Sequence, residues 1–411
     1  MITVFGTGTG APVPADVLAG ARLVVGGRRH LTSAPVPEDA EQVVLGALAP
    51  ALDIIERHLD KQQRVVVLAS GDPGFFGIVR ALAERFGSER LDVRPGVSSV
   101  AAAFARLGLT WDDAVVVSAH GRELRTAVNV CRARPKVAVL TGPGAGPAEL
   151  GAALRADARV LVVASALGSA EERVERVTPA EAAARDWGAS VSVVLCLDGT
   201  RVLGAAARTV AEPGAGPARW ALDEDEFTHR DSMITKFEVR ALALARLGPR
   251  LGDQVWDIGA GSGSVAVECA RFGAAVTAVE KTRDGVERVR ANAAAHGVDV
   301  RAVHGAAPTV LSDLDDPDAV FIGGGGRELP AIVTACARRA RRTVVVAMAA
   351  LDRVPAVREA LTGAGLSCDG VLLQSSRLAP LPGDVTRLAA TNPVFLLWGF
   401  RTPGSHEGVA L

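Results

Sequence analysis

The sequence predicts an α/β protein built in two halves, and three observations lead there. Short apolar, β-branched runs alternate with Ala-, Leu- and Arg-rich helical patterns along nearly the whole chain, the rhythm of βαβ units with mainly parallel sheets. A stretch near the middle, RTVAEPGAGPARWAL at 208–222, interrupts that rhythm, because Pro213, Gly214, Gly216 and Pro217 continue neither a helix nor a central strand. Glycine-rich turns follow strand candidates in both halves but carry different signatures, so the halves do not read as a duplication. At 411 residues the chain also exceeds what one ordinary core organises.

In the first half, residues 2–5, 23–25, 65–69, 114–117, 137–141, 161–164 and 191–197 are predicted strands. Helical patterns fill 15–21, 78–86 and 99–107, the last two stopped by Gly87 and Gly108. Residues 208–222 are the predicted linker, with the boundary near 212–217, which gives domains at 1–207 and 223–411. After it the alternation restarts, with strands expected at 255–258, 276–280, 300–304, 319–322, 343–348, 370–374 and 393–400. The last two lack a helix between them, so the second half reads as a doubly wound sheet closed by an antiparallel pair.

Composition narrows the function. A net charge of −1 and a pI near 6.7 lack the basic excess of a general nucleic-acid binder, and the absence of Tyr removes base-stacking platforms. No stretch approaches an uncharged membrane span, and the N-terminus has no signal-peptide pattern. Five scattered cysteines without a CxxC pair read as buried thiols of a reducing compartment, with no disulfide frame and no metal site. The expectation is a cytoplasmic protein that binds neither membrane nor nucleic acid.

The second half carries V-W-D-I-G-A-G-S-G at 255–263, a strand running into a glycine loop and then a helix. Gly259, Gly261 and Gly263 allow a sharp turn and a close ligand approach. Glu280 closes the next strand, about 20 residues on, where a carboxylate accepts ribose hydroxyls. The spacing is GxGxG, not GxGxxG, and Asp257 precedes it, suited to a ligand's ammonium group rather than to a pyrophosphate. Gly305 and Ala306 end the third strand, and Gly323 and Gly324 begin a run of four glycines after the fourth. Upstream lies THRDSMITKFEVR at 228–240, where Thr235 and Glu238 fit a capping box. Its basic members His229, Arg230, Lys236 and Arg240 are candidates to line a pocket mouth and pair with substrate carboxylates. The pattern D-x-G-x-G-x-G followed by an acidic strand end resembles class I methyltransferases, which implies S-adenosylmethionine as the ligand.

The first half carries three other strand-end turns: TVFGTGTG at 3–10, ASGDPGFFG at 69–77 and PGVSS at 95–99. In that order the set resembles the tetrapyrrole methylase family, the class III methyltransferases. The resemblance implies a cofactor cleft between two α/β subdomains, about 1–110 and 111–205. It assigns a second S-adenosylmethionine to Gly8, Thr9, Ser70, Gly71, Asp72, Phe75, Ser98, Ser99 and Thr141. Many relatives have proline where this chain has Thr9. His120 and Arg122 are candidates for the substrate side.

Together the halves resemble fused methyltransferases of corrin biosynthesis. That likeness implies a tetrapyrrole (precorrin) substrate, methylation at ring carbons 5 and 15 with loss of carbon dioxide, two cofactor sites and a homo-oligomer. The competing expectations are a cobalt-containing substrate, an RNA methyltransferase resting on the second half alone, and a non-catalytic cofactor-binding scaffold.

Overall fold

A computed structural model describes residues 1–7, 12–188, 192–202, 219–230 and 234–401. Its contacts divide the chain into two compact units, Met1–Leu124 with Pro135–Pro213, and Arg125–Arg134 with Gly214–Leu411. The greater part of the predicted linker, 208–218, lies outside the described residues. Ala221 and Leu222, also placed in that linker from sequence, are instead core residues of the second unit, 1% and 6% exposed.

The first unit opens with β1 (Ile2–Thr7), α1 (Ala15–Leu18), β2 (Leu23–Gly26), α2 (Arg28–Ser33), β3 (Glu41–Val44), α3 (Leu48–Asp60), β4 (Val65–Ser70), α4 (Val79–Phe86), β5 (Leu91–Arg94) and α5 (Ser99–Leu107). Its sheet runs β3-β2-β4-β1-β5 and is parallel throughout. Both faces are covered, which is why β4 is an unbroken apolar run: Val65 and Val67 join the core under α3 and α4, and Val66 and Leu68 the one under α1 and α2. The covered faces leave the carboxyl edge of β1, β2 and β4 as the place where loops gather.

The unit continues with β6 (Val115–Ser118), α6 (Leu124–Ala133), β7 (Lys136–Leu140), α7 (Pro147–Ala153), β8 (Val160–Ser165), β9 (Arg173–Val177), α8 (Pro179–Ala183) and β10 (Ser192–Leu197), with most of α6 grouping with the second unit. This second sheet has the order β6-β7-β10-β8-β9, and only β6 and β7 are parallel. The expectation of mainly parallel sheets fails here, because β10 returns between β7 and β8 and runs against both.

The second unit contains α9 (Phe237–Leu247), β11 (Gln254–Ile258), α10 (Ser264–Arg271), β12 (Ala275–Glu280), α11 (Arg283–Ala295), β13 (Arg301–His304), β14 (Ala319–Ile322), α12 (Leu329–Arg339), β15 (Thr343–Met348), α13 (Val354–Gly363), β16 (Ser367–Leu373), β17 (Ser376–Leu381), β18 (Val385–Ala390) and β19 (Val394–Phe400). The sheet order is β13-β12-β11-β14-β15-β19-β16, with β19 antiparallel to both neighbours, as the sequence suggests. The direction of strand addition reverses between β11 and β14, the switch point where doubly wound sheets leave a crevice. The hairpin β17–β18, not foreseen, is inserted before the last strand.

All five cysteines are free and four are buried. Among the described residues no helix is long and apolar enough to cross a membrane, and no cluster of His, Cys, Asp and Glu is arranged to hold a metal ion.

Candidate active sites

In the second unit the glycine loop forms because β11 is buried on both faces and must turn at once into α10. Gly259, Gly261 and Gly263 have φ of +73°, +58° and +73°, the left-handed region that side chains disfavour. A Cβ on Gly259 would lie 3.1 Å from the Gly324 nitrogen, so the glycine run after β14 packs backbone to backbone against this loop. Gly323 N–H completes the join by donating to Ile258 O (3.0 Å). Gly305 N–H donates to Glu280 O (3.0 Å), which brings the end of β13 to the same edge.

Glu280 is 8% exposed and held by three donors. Gly261 N–H reaches its Oε2 at 3.0 Å, while Thr282 N–H and Oγ1–H reach Oε1 at 2.9 Å each. A carboxylate has about four acceptor sites. One therefore remains for a ribose hydroxyl, and a pair of hydroxyls requires one of the three donors to let go.

Asp257 is a correction. It is 1% exposed, and its Oδ2 accepts the Ala266 N–H (3.0 Å), so it fastens α10 to the loop rather than facing a ligand ammonium. Burial raises its pKa to about 7; the Ala266 bond opposes that and the nearby Glu280 charge adds to it. A raised carboxyl pKa means the folded state holds the proton more tightly than the unfolded chain. The stabilisation is complete below about pH 4 and fades as pH rises through about 7. Asp257→Asn keeps an acceptor for Ala266 and is expected to remove this loss. In urea unfolding of the full chain, the stability gap between variant and parent should widen in the variant's favour from pH 5 to pH 8. A gap constant with pH counts against this reading.

The stretch before α9 is brought to the loop by a residue that sequence reasoning missed. Asn292, 2% exposed on α11, donates to Ser262 O (2.8 Å) and Thr228 O (2.9 Å) and accepts from Thr228 N–H (2.8 Å). A lone Asn in a helix gives no sequence signal. His229 is half-buried and Arg230 exposed, both following this tie, and Lys236 is half-buried.

Arg240 does not line a pocket mouth. It is fully buried and donates to Thr235 O and Leu222 O, with Phe227 under its guanidinium at 4.9 Å and Glu268 at 3.7 Å. It latches the segment before α9. The capping box also fails: Lys236 takes the N-cap position without a side-chain cap bond, and Glu238 turns instead to Arg377 on β17. Arg377 bridges Glu238 and Glu224, so it too is occupied by protein carboxylates. Burial works to raise the Glu224 pKa, yet the Arg377 hydrogen bonds and the Phe237 N–H hold it down to about 2.

In the first unit three strand-end turns meet. Gly71, at φ +57°, donates to Thr7 O (3.0 Å), and Gly96 N–H donates to Gly71 O (3.1 Å). A Cβ on Gly6 would lie 2.1 Å from Gly71 O and 2.5 Å from Gly96 N, so only glycine lets β1 pass beneath both turns. Asp72 Oδ1 accepts the Gly74 N–H (2.8 Å) and shapes the turn. Ser98 caps α5 by accepting from Ala101 N–H (3.1 Å), and Ser99 starts that helix. Gly8 and Thr9 lie outside the described residues. Thr141 directly follows β7 of the other sheet, where its carbonyl meets His120 Nδ1 (3.3 Å).

Beyond the turn, Phe75 and Phe76 stand 38% and 50% exposed, edge to face at 5.0 Å. They line a mostly apolar groove of about 690 Å³ together with Thr110, Trp111, Asp112, Ala114 and Val116. Sequence reasoning missed Thr7, Arg29 and His30, which join Ser70 in one hydrogen-bonded group at this edge. The RRH at 28–30 follows Gly26-Gly27 directly after β2, a strand–glycine–helix turn that was the available signal.

Comparison with known proteins fits this two-part layout. The tetrapyrrole (corrin/porphyrin) methylase family matches residues 1–183, and the precorrin methyltransferase domain matches 225–397. The chain is thus an α/β methyltransferase with a tetrapyrrole methylase half and a Rossmann-like half. It is 38% identical over 325 residues to the precorrin-6Y C(5,15)-methyltransferase (decarboxylating) of a Sinorhizobium species, covering 76% of this chain and 74% of that protein. A probable cobalt-precorrin-6B C(15)-methyltransferase (decarboxylating) of Pyrobaculum calidifontis is 37% identical, over 41% of this chain and 88% of its own. The cobalt-precorrin-7 C(5)-methyltransferase of Salmonella typhimurium is 32% identical, over 47% of this chain and 98% of its own. The chain belongs to the precorrin-6Y C(5,15)-methyltransferase (decarboxylating) family.

Proposed function

We propose that the chain converts precorrin-6B to precorrin-8X, methylating carbons 5 and 15 and releasing carbon dioxide from the carbon-12 acetate. One S-adenosylmethionine is used at each site, and residues 1–207 and 223–411 are the two catalytic domains. The observation that carries this reading is the presence in one chain of two strand-edge loop clusters of unlike build. The first acts at carbon 5, and the second acts at carbon 15 and decarboxylates. Half-length relatives named for a C(5) and a C(15) activity support that division.

The residues fit the cofactor. In the second domain Gly259, Gly261, Gly263, Gly305, Ala306, Gly323 and Gly324 let backbone approach a nucleoside closely, Glu280 offers an acceptor to its ribose, and Thr235 stands nearby. In the first, Ser70, Gly71, Asp72, Phe75, Ser98, Ser99 and Thr141 are the corresponding set, to which the sequence resemblance adds Gly8 and Thr9. When bound, S-adenosylmethionine supplies a methyl group already activated on a sulfonium. The protein's task is alignment, and positioning alone supplies a large share of the acceleration. His229, Arg230 and Lys236 pair with substrate carboxylates, and the Phe75–Trp111 groove receives the ring.

The exposed apolar residues of the hairpin β17–β18 support a homo-oligomer, and the five free cysteines support a reducing, cytoplasmic setting. Leu378 and Leu388 are paired across it on one face, 78% and 67% exposed. Sedimentation as a single chain would remove that part of the reading.

The test is incubation of the full chain with precorrin-6B and labelled S-adenosylmethionine, beside calorimetry of cofactor binding. The expected product carries two new methyl groups and has lost one carboxyl, with two binding sites per chain. A single cofactor site, or label passing to tRNA and not to the tetrapyrrole, overturns the proposal. Turnover of the cobalt-bearing substrate alone would move the enzyme to the metal-containing branch.

A further inference from the structure

Four side chains at the carboxyl edge of the first sheet form a hydrogen-bonded line whose direction is fixed by its ends. Arg29 Nη2 meets Ser70 Oγ at 2.5 Å, and a guanidinium only donates. At the other end Thr7 Oγ1 donates to Ala69 O (3.0 Å), and a carbonyl only accepts. His30 lies between, with Nδ1 at 3.0 Å from Thr7 Oγ1 and Nε2 at 2.9 Å from Ser70 Oγ. Thr7 has spent its hydrogen on Ala69, so it accepts from His30 Nδ1–H. Nε2 is then the ring's acceptor: Ser70 gives it the O–H at 2.9 Å, and Arg29 Nε–H also points to it at 3.4 Å. Burial, and secondly the Arg29 charge, pull the His30 pKa down to about 4, which agrees with a neutral ring. A hydroxyl on a neutral imidazole whose far nitrogen is held by a third group is the arrangement that lets oxygen take part in proton transfer.

Ser70 is exposed at the turn beside Gly71 and Asp72, while His30 is half-buried behind it. A methylated ring carbon must lose its hydrogen to a nearby base. We propose that Ser70 and His30 accept the proton released by carbon methylation at the first site, an inference that rests on the functional reading above. The π electrons of the ring carbon form the new C–CH3 bond while the S–CH3 bond breaks and its pair stays on sulfur. The tetrapyrrole is left with a positive charge. It regains its conjugation by losing the hydrogen on the methylated carbon: the C–H pair re-forms the double bond, the Ser70 oxygen takes the proton, and the hydrogen of Ser70 passes to His30 Nε2. A weak base suffices, because a C–H beside a delocalised cation is acidic. The imidazolium then faces Arg29, whose charge drives the proton on to water.

The experiment compares the full-length parent with His30→Gln and Ser70→Ala, using precorrin-6B with hydrogen or deuterium at carbon 5. Glutamine can still donate to Thr7 and accept from Ser70, but it takes no proton. The expected result is a carbon-5 methylation rate lowered about 10²–10⁴-fold in both variants at saturating cofactor, with cofactor binding unchanged in His30→Gln. A deuterium effect absent from the parent should also appear, because proton removal has become the slow step. A purely structural role would create no such sensitivity. If His30→Gln fails to fold, Ser70→Ala, a trimmed exposed hydroxyl, carries the same comparison. Parental rates in the variants, or slow rates indifferent to deuterium, overturn the role of the pair. A parent that puts no methyl on carbon 5 overturns the functional reading itself.

Discussion

Gly6→Ala is expected to abolish methyl transfer at carbon 5 while carbon-15 methylation and decarboxylation continue. The added methyl would sit 2.1 Å from Gly71 O, 2.5 Å from Gly96 N and 3.0 Å from Pro73 Cδ. None of these is a flexible side-chain tip, and β1 cannot retreat, since Gly6 is paired with Ala69 inside a parallel ladder buried on both faces. The turns at 71–73 and 95–97 must part, which breaks the bond from Gly96 N–H to Gly71 O. A displacement of about 1 Å in a positioning element costs on the order of 100-fold in rate. The product should carry one new methyl and lack the acetate carboxyl, and calorimetry should find one cofactor site. Gly46→Ala, where a Cβ meets nothing within 4 Å, is the control and should match the parent. Normal carbon-5 methylation by the Gly6 variant would mean that the three turns do not form the first site.

The second large effect is the mirror image. Gly259→Ala places an L-residue at φ +73° and drives its Cβ to 3.1 Å from the Gly324 nitrogen. The left-handed conformation alone costs roughly 1–2 kcal/mol, and relief requires separating the loop after β11 from the glycine run after β14. Carbon-15 methylation and decarboxylation are expected to fall together by about 100-fold, with carbon-5 methylation retained. Were decarboxylation to survive while methylation at carbon 15 stopped, the two events would not share this loop. Product mass and the position of the new methyl decide between these outcomes.

The glycine-loop signatures were legible in the sequence because their chemistry is local: positive φ, close backbone approach and a carboxylate at a fixed distance along the chain. The missed strands have a common physical reason. β3, β5 and β9 lie at sheet edges, so they carry residues such as Glu41, Asp92, Arg94 and Glu175 and lose the apolar run that marks a central strand. The hairpin β17–β18 turns Arg377 and small alanines to its half-buried face and Leu378 and Leu388 to its exposed one, so its sequence shows no apolar alternation toward a core. The basic cluster at 229–240 shows the limit for side chains. Composition reveals positive charge but not its direction, and Arg240 points inward to Leu222 and Thr235 while Arg377 is claimed by Glu224 and Glu238. The role of Asn292 depends on three segments meeting, which no local pattern encodes.

An enzyme that handles a sulfonium electrophile must avoid alkylating itself, and its softest nucleophiles are thiols. Cys269 sits in α10, the helix that leaves the second glycine loop, where burial pushes its thiol well above the ordinary range. Cys336 is pushed up to about 12 for the same reason. Since thiolates, not thiols, attack carbon, packing these sulfurs under α10 and α12 leaves the corrin ring as the better acceptor and spares the chain from slow suicide by its own reagent.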